Sequence, residues 1–174
     1  MADKAFERRD VLGVVELDLR SLSVEARRKF PEVKEAVEKA LLRLRAIHEQ
    51  LPPTASAAEQ AEAIAASEEV LLPLMLALGS RSDTLPELAL KAVQRMLSHS
   101  AVAPQRLPAV VSQLIARAQS PSADEASLLR VLQTVLTIAS SPSLLHADTV
   151  VSQLLLLCLT LQQHRSGNIR NTAV

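Results

Sequence analysis

Few residues in this sequence are of types that do chemistry, and their spacing argues against most of it. The four histidines, His48, His99, His146 and His164, fall in different segments, with no His-x-x-x-His pair and one cysteine beside them, so the ligand spacing of a metal centre is missing. Cys158 stands inside LLLLCLTL, an apolar setting that favours the neutral thiol over a reactive thiolate. The acidic pairs Glu68-Glu69 and Asp124-Glu125 fall in expected first helical turns, where carboxylates complement the helix dipole and need no role as general acid and base. Neither Gly-x-Gly-x-x-Gly nor Gly-x-x-x-x-Gly-Lys-Ser/Thr occurs, which removes the backbone cradle for a phosphate. On these grounds no enzyme activity, cofactor or metal is expected.

Two surface groupings are left. Arg27, Arg28 and Lys29, with Lys34 and an exposed Phe30 beside them, form a cationic cluster of the kind that meets anionic phospholipid headgroups; the alternative is a solvated connector. Lys91, Arg95 and His99 recur every four residues, which places them along one edge of a helix as a spot for a protein partner. Ordinary boundary residues are the alternative there.

The elements that must hold these groups read as helices. From Thr84 to Ser100 the sequence TLPELALKAVQRMLSHS puts Leu85, Leu88, Ala89, Ala92, Val93, Met96 and Leu97 on one stripe. Thr84 is expected to cap this helix with Glu87 reaching back, and Pro86 falls in the first turn. A first helix is expected from about Ala5 to Leu22, followed by a polar connector to Phe30, and Pro31 opens a second helix with Val33, Val37, Ala40, Leu41, Leu44 and Ile47 inward. Residues 50–66, Ala- and Pro-rich, read as a flexible linker that passes into helix near Ala57. Glu68 to Leu78 is helical with Pro73 inside it and Gly79 as the stop. Pro104 and Pro108 bracket the start of another helix, and Ser122 with Glu125 forms a second capping pattern before the apolar run Leu128 to Ala139. A last helix, about Ala147 to His164, is apolar nearly all round: Val150, Val151, Leu154 and Leu161 face one way and Leu155, Leu156 and Leu159 another, with Gly167 expected to end it.

Composition agrees. Apolar residues make up 48% of the 174, but there is no Trp, no Tyr and only Phe6 and Phe30, so the core is built from Leu, Val, Ile and Ala and the class is all-α. A chain of this length buries about 70% of its unfolded surface, enough for one domain over 1–174. Zero net charge lacks the basic footprint of a general nucleic-acid binder, so nucleic acid is not an expected partner. The longest apolar run, Leu154 to Leu161, falls short of the roughly 20 residues that span a bilayer. About seven helices, recurring as pairs at intervals of about 40 residues, predict an armadillo- or HEAT-like right-handed array, with a plain helical bundle as the alternative.

Three segments together carry a family resemblance: DLRSLSVEARRKFPEVKEA from Asp18, LPLMLALGSRSDTLPELALKAVQRMLSH from Leu72 and LLRVLQTVLTIASSP from Leu128. In that order they resemble the N-terminal dimerisation and cyclophilin-binding domain of the large Arf guanine-nucleotide exchange factors, above all of the related monensin-sensitivity Golgi scaffolds that lack the exchange domain. NIRNTAV from Asn168 is similar to the stretch that leads into the next helix in those proteins, which implies a piece of a longer chain. The resemblance implies a non-enzymatic module for recruitment, homodimerisation and contact with downstream domains, on a peripheral membrane protein at the cytoplasmic face of the trans-Golgi network and endosomes. It makes Leu155, Leu156 and Leu159 candidates for the dimer or downstream-domain interface. It also implies an Arf-like small GTPase as a partner of Lys91, Arg95 and His99. Relatives with the exchange domain carry a Lys and, four residues on, a Tyr where this sequence has Arg95 and His99, so the charge is kept and the aromatic anchor is not. For the full-length family member it implies a Dopey-type protein and a phospholipid flippase as further partners.

Overall fold

The structure, a computed structural model, describes residues 10–27, 29–121, 123–141, 148–163 and 166–173. Among these there are nine α-helices and no strand: α1 (Val11–Ala26), α2 (Pro31–Gln50), α3 (Ala57–Ala65), α4 (Glu68–Leu78), α5 (Leu85–Ser98), α6 (Leu107–Ala118), α7 (Glu125–Ala139), α8 (Asp148–Gln162) and α9 (Gly167–Thr172), with a 3-10 turn at Pro104–Arg106 before α6. The all-α class is as the composition predicts. The count exceeds seven because α3 is a helix of its own and the last described residues form α9.

The helices stack in two layers. α1, α5, α7 and α9 follow one another in one layer, α2, α4, α6 and α8 in the other, and the pairs α1/α2, α4/α5, α6/α7 and α8/α9 join them. α3 stands outside this order against α1 and α2, where Ala61 and Ile64 are buried. One apolar core runs the length of the stack from Val11 to Ala173. Its largest fully buried members are Leu, Ile and Met, as a chain without Trp or Tyr requires.

Local departures from the sequence reading have identifiable causes. α1 continues through the expected connector to Ala26, because Leu22 and Ala26 extend its buried face; the expected start at Ala5 lies outside the described residues. Within 50–66, Ser56 accepts from the Glu59 N–H at 3.3 Å while Glu59 accepts from the Ser56 N–H at 2.7 Å, and this reciprocal cap starts α3 at Ala57. Thr84 makes no cap for α5. Its hydroxyl donates instead to Glu25 of α1 at 2.6 Å, and Ser82 Oγ accepts from the Leu85 N–H at 3.2 Å. Ser122 lies outside the described residues; Asp124 caps α7 by accepting from the Ser127 N–H at 2.8 Å. Gly167 opens α9 instead of ending α8.

Candidate functional site

The stripe on α5 is built by the helix period, but the side chains go to different places. Arg95 Nη2 donates to Asp18 Oδ1 of α1, so the guanidinium is engaged inside the fold. The Asp18 side chain is only 11% exposed and that of Arg95 35%. Burial raises the Asp18 carboxyl above its ordinary value, with the positive charges of Arg95 and Lys91 pulling it down less strongly. Lys91 is exposed one turn away. His99 caps the C-terminal end of α5 and borders a separate hollow of about 470 Å³ floored by small residues of α3, among them Ala58, Ala61 and Ala65. The structure thus brings Lys91 and Arg95 together around Asp18 and sets His99 beside α3.

The Asp18–Arg95 pair belongs to a series. In the layer formed by α1, α5, α7 and α9, each junction carries a carboxylate contact: Asp18 with Arg95, Glu87 with Arg130 at 3.2 Å, and Glu125 accepting from Asn168 at 2.9 Å and Ser166 at 3.0 Å. The other layer has Arg43 against Glu69 at 3.4 Å, and Arg106 before α6 holds Glu68 at 2.7 Å. Asp18 and Glu25 escaped sequence reasoning, since partners 77 and 59 residues away leave no local signature. The Ser56-x-x-Glu59 cap was missed as well, although its local Ser-x-x-Glu spacing is a signal that could have found it.

In the cationic cluster, Arg27 and Lys29 are exposed, Lys34 pairs with Glu38 at 3.5 Å along α2, and Arg28 lies outside the described residues. Phe30 does not stand free: it is partly buried against the core at the N-cap of α2. On α8, Val150, Leu154, Leu157 and Leu161 are buried, while Leu155, Leu156 and Leu159 are 60%, 62% and 56% exposed. These three fall within one sector of the helix, with the polar exposed Ser152 beside them. Burial raises the Cys158 thiol above its usual range, which suits packing and opposes thiolate chemistry. His146 and His164 lie outside the described residues, among which no three His, Cys, Asp or Glu side chains come together as metal ligands. No helix among them is long and apolar enough to cross a membrane.

Comparison with known proteins gives the family. The chain is 31% identical over 167 residues to the human protein MON2 homolog, covering 94% of this chain and 9% of that protein. It is 29% identical over 163 residues to the Xenopus laevis protein MON2 homolog, with 94% and 9% covered, and 31% identical over 159 residues to the Caenorhabditis elegans monensin-resistant homolog 2, with 90% and 9% covered. The chain therefore spans about a tenth of the length of these relatives. No solved structure matches. The family described as Mon2/Sec7/BIG1-like, dimerisation and cyclophilin-binding domain matches residues 7–174, and the chain belongs to it.

Proposed function

We propose that this chain is a non-enzymatic recruitment, dimerisation and protein-interaction module of a Golgi and endosome trafficking scaffold, in the form of an armadillo- or HEAT-like right-handed array. The observation that carries the reading is the apolar sector of α8, Leu155, Leu156 and Leu159. A two-fold contact uses such a patch twice. Six leucines, each with more than half its surface left to bury, contribute on the order of 1–2 kcal/mol apiece. The sum is comparable to the roughly 4–15 kcal/mol that association costs in lost freedom, so the patch supports self-association that is weak unless neighbouring surface joins it. Sedimentation velocity at micromolar concentration tests this. Wild type is expected to show a concentration-dependent dimer, and Leu155→Glu with Leu159→Glu a monomer of unchanged melting temperature; a wild-type monomer throughout would remove the dimer role and leave these leucines to downstream domains.

A second reading, binding of an Arf-like GTPase, is favoured by the exposure of Lys91 and His99. Arg95 is a poor probe of it, because its replacement also strips Asp18 of its partner. Lys91→Glu and His99→Ala, scored by pull-down with a GTP-locked Arf-like GTPase, separate binding from folding; unchanged capture by both variants rejects this site. For the anionic-phospholipid reading, exposed Arg27 and Lys29 are the residues to reverse in liposome flotation, since Lys34 already holds Glu38. Contacts with a Dopey-type protein or a flippase belong to the scaffold as a whole.

A further inference from the structure

We propose that the trough between the start of α2 and the turn after α4 docks an acidic segment of a partner protein, with carboxylates flanking one large apolar side chain. The trough holds about 580 Å³. Phe30, Val33, Met75 and Leu76 form its apolar wall, and Lys29 and Arg81 contribute cations. Neither cation has a carboxylate at ion-pair distance among the described residues, whereas Arg43, Arg95, Arg106 and Arg130 at the helix junctions each hold one. Glu32 is the single carboxylate on the lining, so the trough is net positive. Arg81 also borders a second hollow of about 430 Å³, which shares Gly79, Ser80 and Gln113 with the first and passes over Arg117. That guanidinium is buried and donates to Ser127 Oγ at 3.0 Å.

Charge decides the occupant. A neutral or basic segment lying here takes water from Lys29 and Arg81 without giving a partner in return, which is unfavourable. An acidic one supplies the carboxylates that the other junction cations already have. The apolar wall asks for more than an anion. Met75 is unbranched and adapts to irregular side chains, and Leu72 and Leu76, 47% and 37% exposed, carry the apolar strip along α4. The volume lies within the about 300–1,000 Å³ of ligand pockets, room for an anchoring side chain and short extended backbone. α2 begins without a side-chain cap, which adds to the positive potential. An anionic lipid headgroup would satisfy the cations but leave the apolar wall of Phe30, Val33, Met75 and Leu76 uncovered, which favours a peptide with an apolar side chain over a membrane.

The inference is separate from self-association, because the trough uses no residue of α8. The probe is a synthetic peptide alternating Glu and Asp around a central Phe-Leu pair, titrated into the isotope-labelled chain and followed by amide chemical shifts. A control peptide has Lys at every acidic position. Shifts are expected to cluster at residues 29–33, 75–81 and 113, with little response to the control. Lys29→Glu with Arg81→Glu should weaken binding at least about tenfold, and added salt should weaken wild-type binding. Gly79→Leu should block it by filling the trough: Gly79 has φ −80, which any residue adopts, and an added Cβ meets Gln113 Oε1 at an ordinary 3.5 Å. Thermal melts show whether each variant folds, and the surface charge reversal serves if the filled variant does not. No binding, equal binding of the control, shifts elsewhere, or an unaffected charge-reversed variant overturns the proposal. So does binding to phosphatidylserine vesicles that needs the same cations while the peptide does not bind, which would assign the trough to lipid.

Discussion

Ser100 sits at φ 58, in the left-handed region where a side chain is strained and glycine is not. It is there because α5 closes with paired bonds: the Ala101 N–H donates to the Met96 carbonyl at 2.8 Å and the Ser100 N–H to the Leu97 carbonyl at 3.0 Å, the helix ending that glycine usually serves. Ser100→Gly is expected to raise stability by about 1 kcal/mol, read as a higher denaturation midpoint with an unchanged slope. Gly79, where the sequence had pointed to a glycine stop, uses none of that freedom at φ −80. Asp18 yields a pH prediction. Its carboxyl is raised by burial, against Arg95 and Lys91, so it binds a proton more tightly in the folded than in the unfolded chain. Its contribution to stability is therefore full below the ordinary value of 3.8 and is lost as pH rises through the folded-state value. Wild type should lose stability relative to Asp18→Asn on going from below pH 3.8 to neutrality, and melting curves of both across that range check the sign. What the sequence could tell at this scale is bounded by competition. Ser56-x-x-Glu59 and Thr84-x-x-Glu87 are the same pattern, yet only the first closes a cap. Glu25 takes the Thr84 hydroxyl and Arg130 takes Glu87, and both arrive from distant segments.

Helices were legible as elements because their apolar periods are strong; how many sides each buries was not. The stripe read for α5 left out Leu90, which has no exposure at all. α5 touches α1, α4 and α7, so a helix read as buried on one side is enclosed on three, and its exposed remainder narrows to residues such as Lys91 and Ser98. Leu90→Ala should therefore cost about 2–5 kcal/mol, the range for a truncation that opens a core cavity. Equilibrium denaturation measures it, and a loss below 1 kcal/mol, the scale of a surface change, would contradict the enclosure. α7 shows the converse. Leu136, within the apolar run, is exposed, while the polar Thr134 is fully buried and donates back to the Arg130 carbonyl at 2.8 Å. A threonine can turn inward in this way because its own helix accepts the hydroxyl proton.

The two-layer stack has consequences for how the molecule opens. Apart from α3, each helix pair meets the pairs beside it in sequence, so stability is the sum of each pair's own terms and those of its neighbours, and an inner pair has two neighbours where an outer one has one. α9 is six residues long and meets only α7 and α8 among the stronger contacts. α5 lies inside its layer between α1 and α7 and packs on α4 of the other. Amide hydrogen exchange should follow that order: α9 and the exposed side of α8 exchange first through local opening, and the amides around Leu90 and Val93 exchange only with global unfolding. Uniform protection along the chain would mean that the stack opens all at once. A gradient would mean that the end bearing Leu155, Leu156 and Leu159 can loosen while the end bearing Lys29 and Arg81 stays folded, so that one end of the module can rearrange on a partner without disturbing what the other end holds.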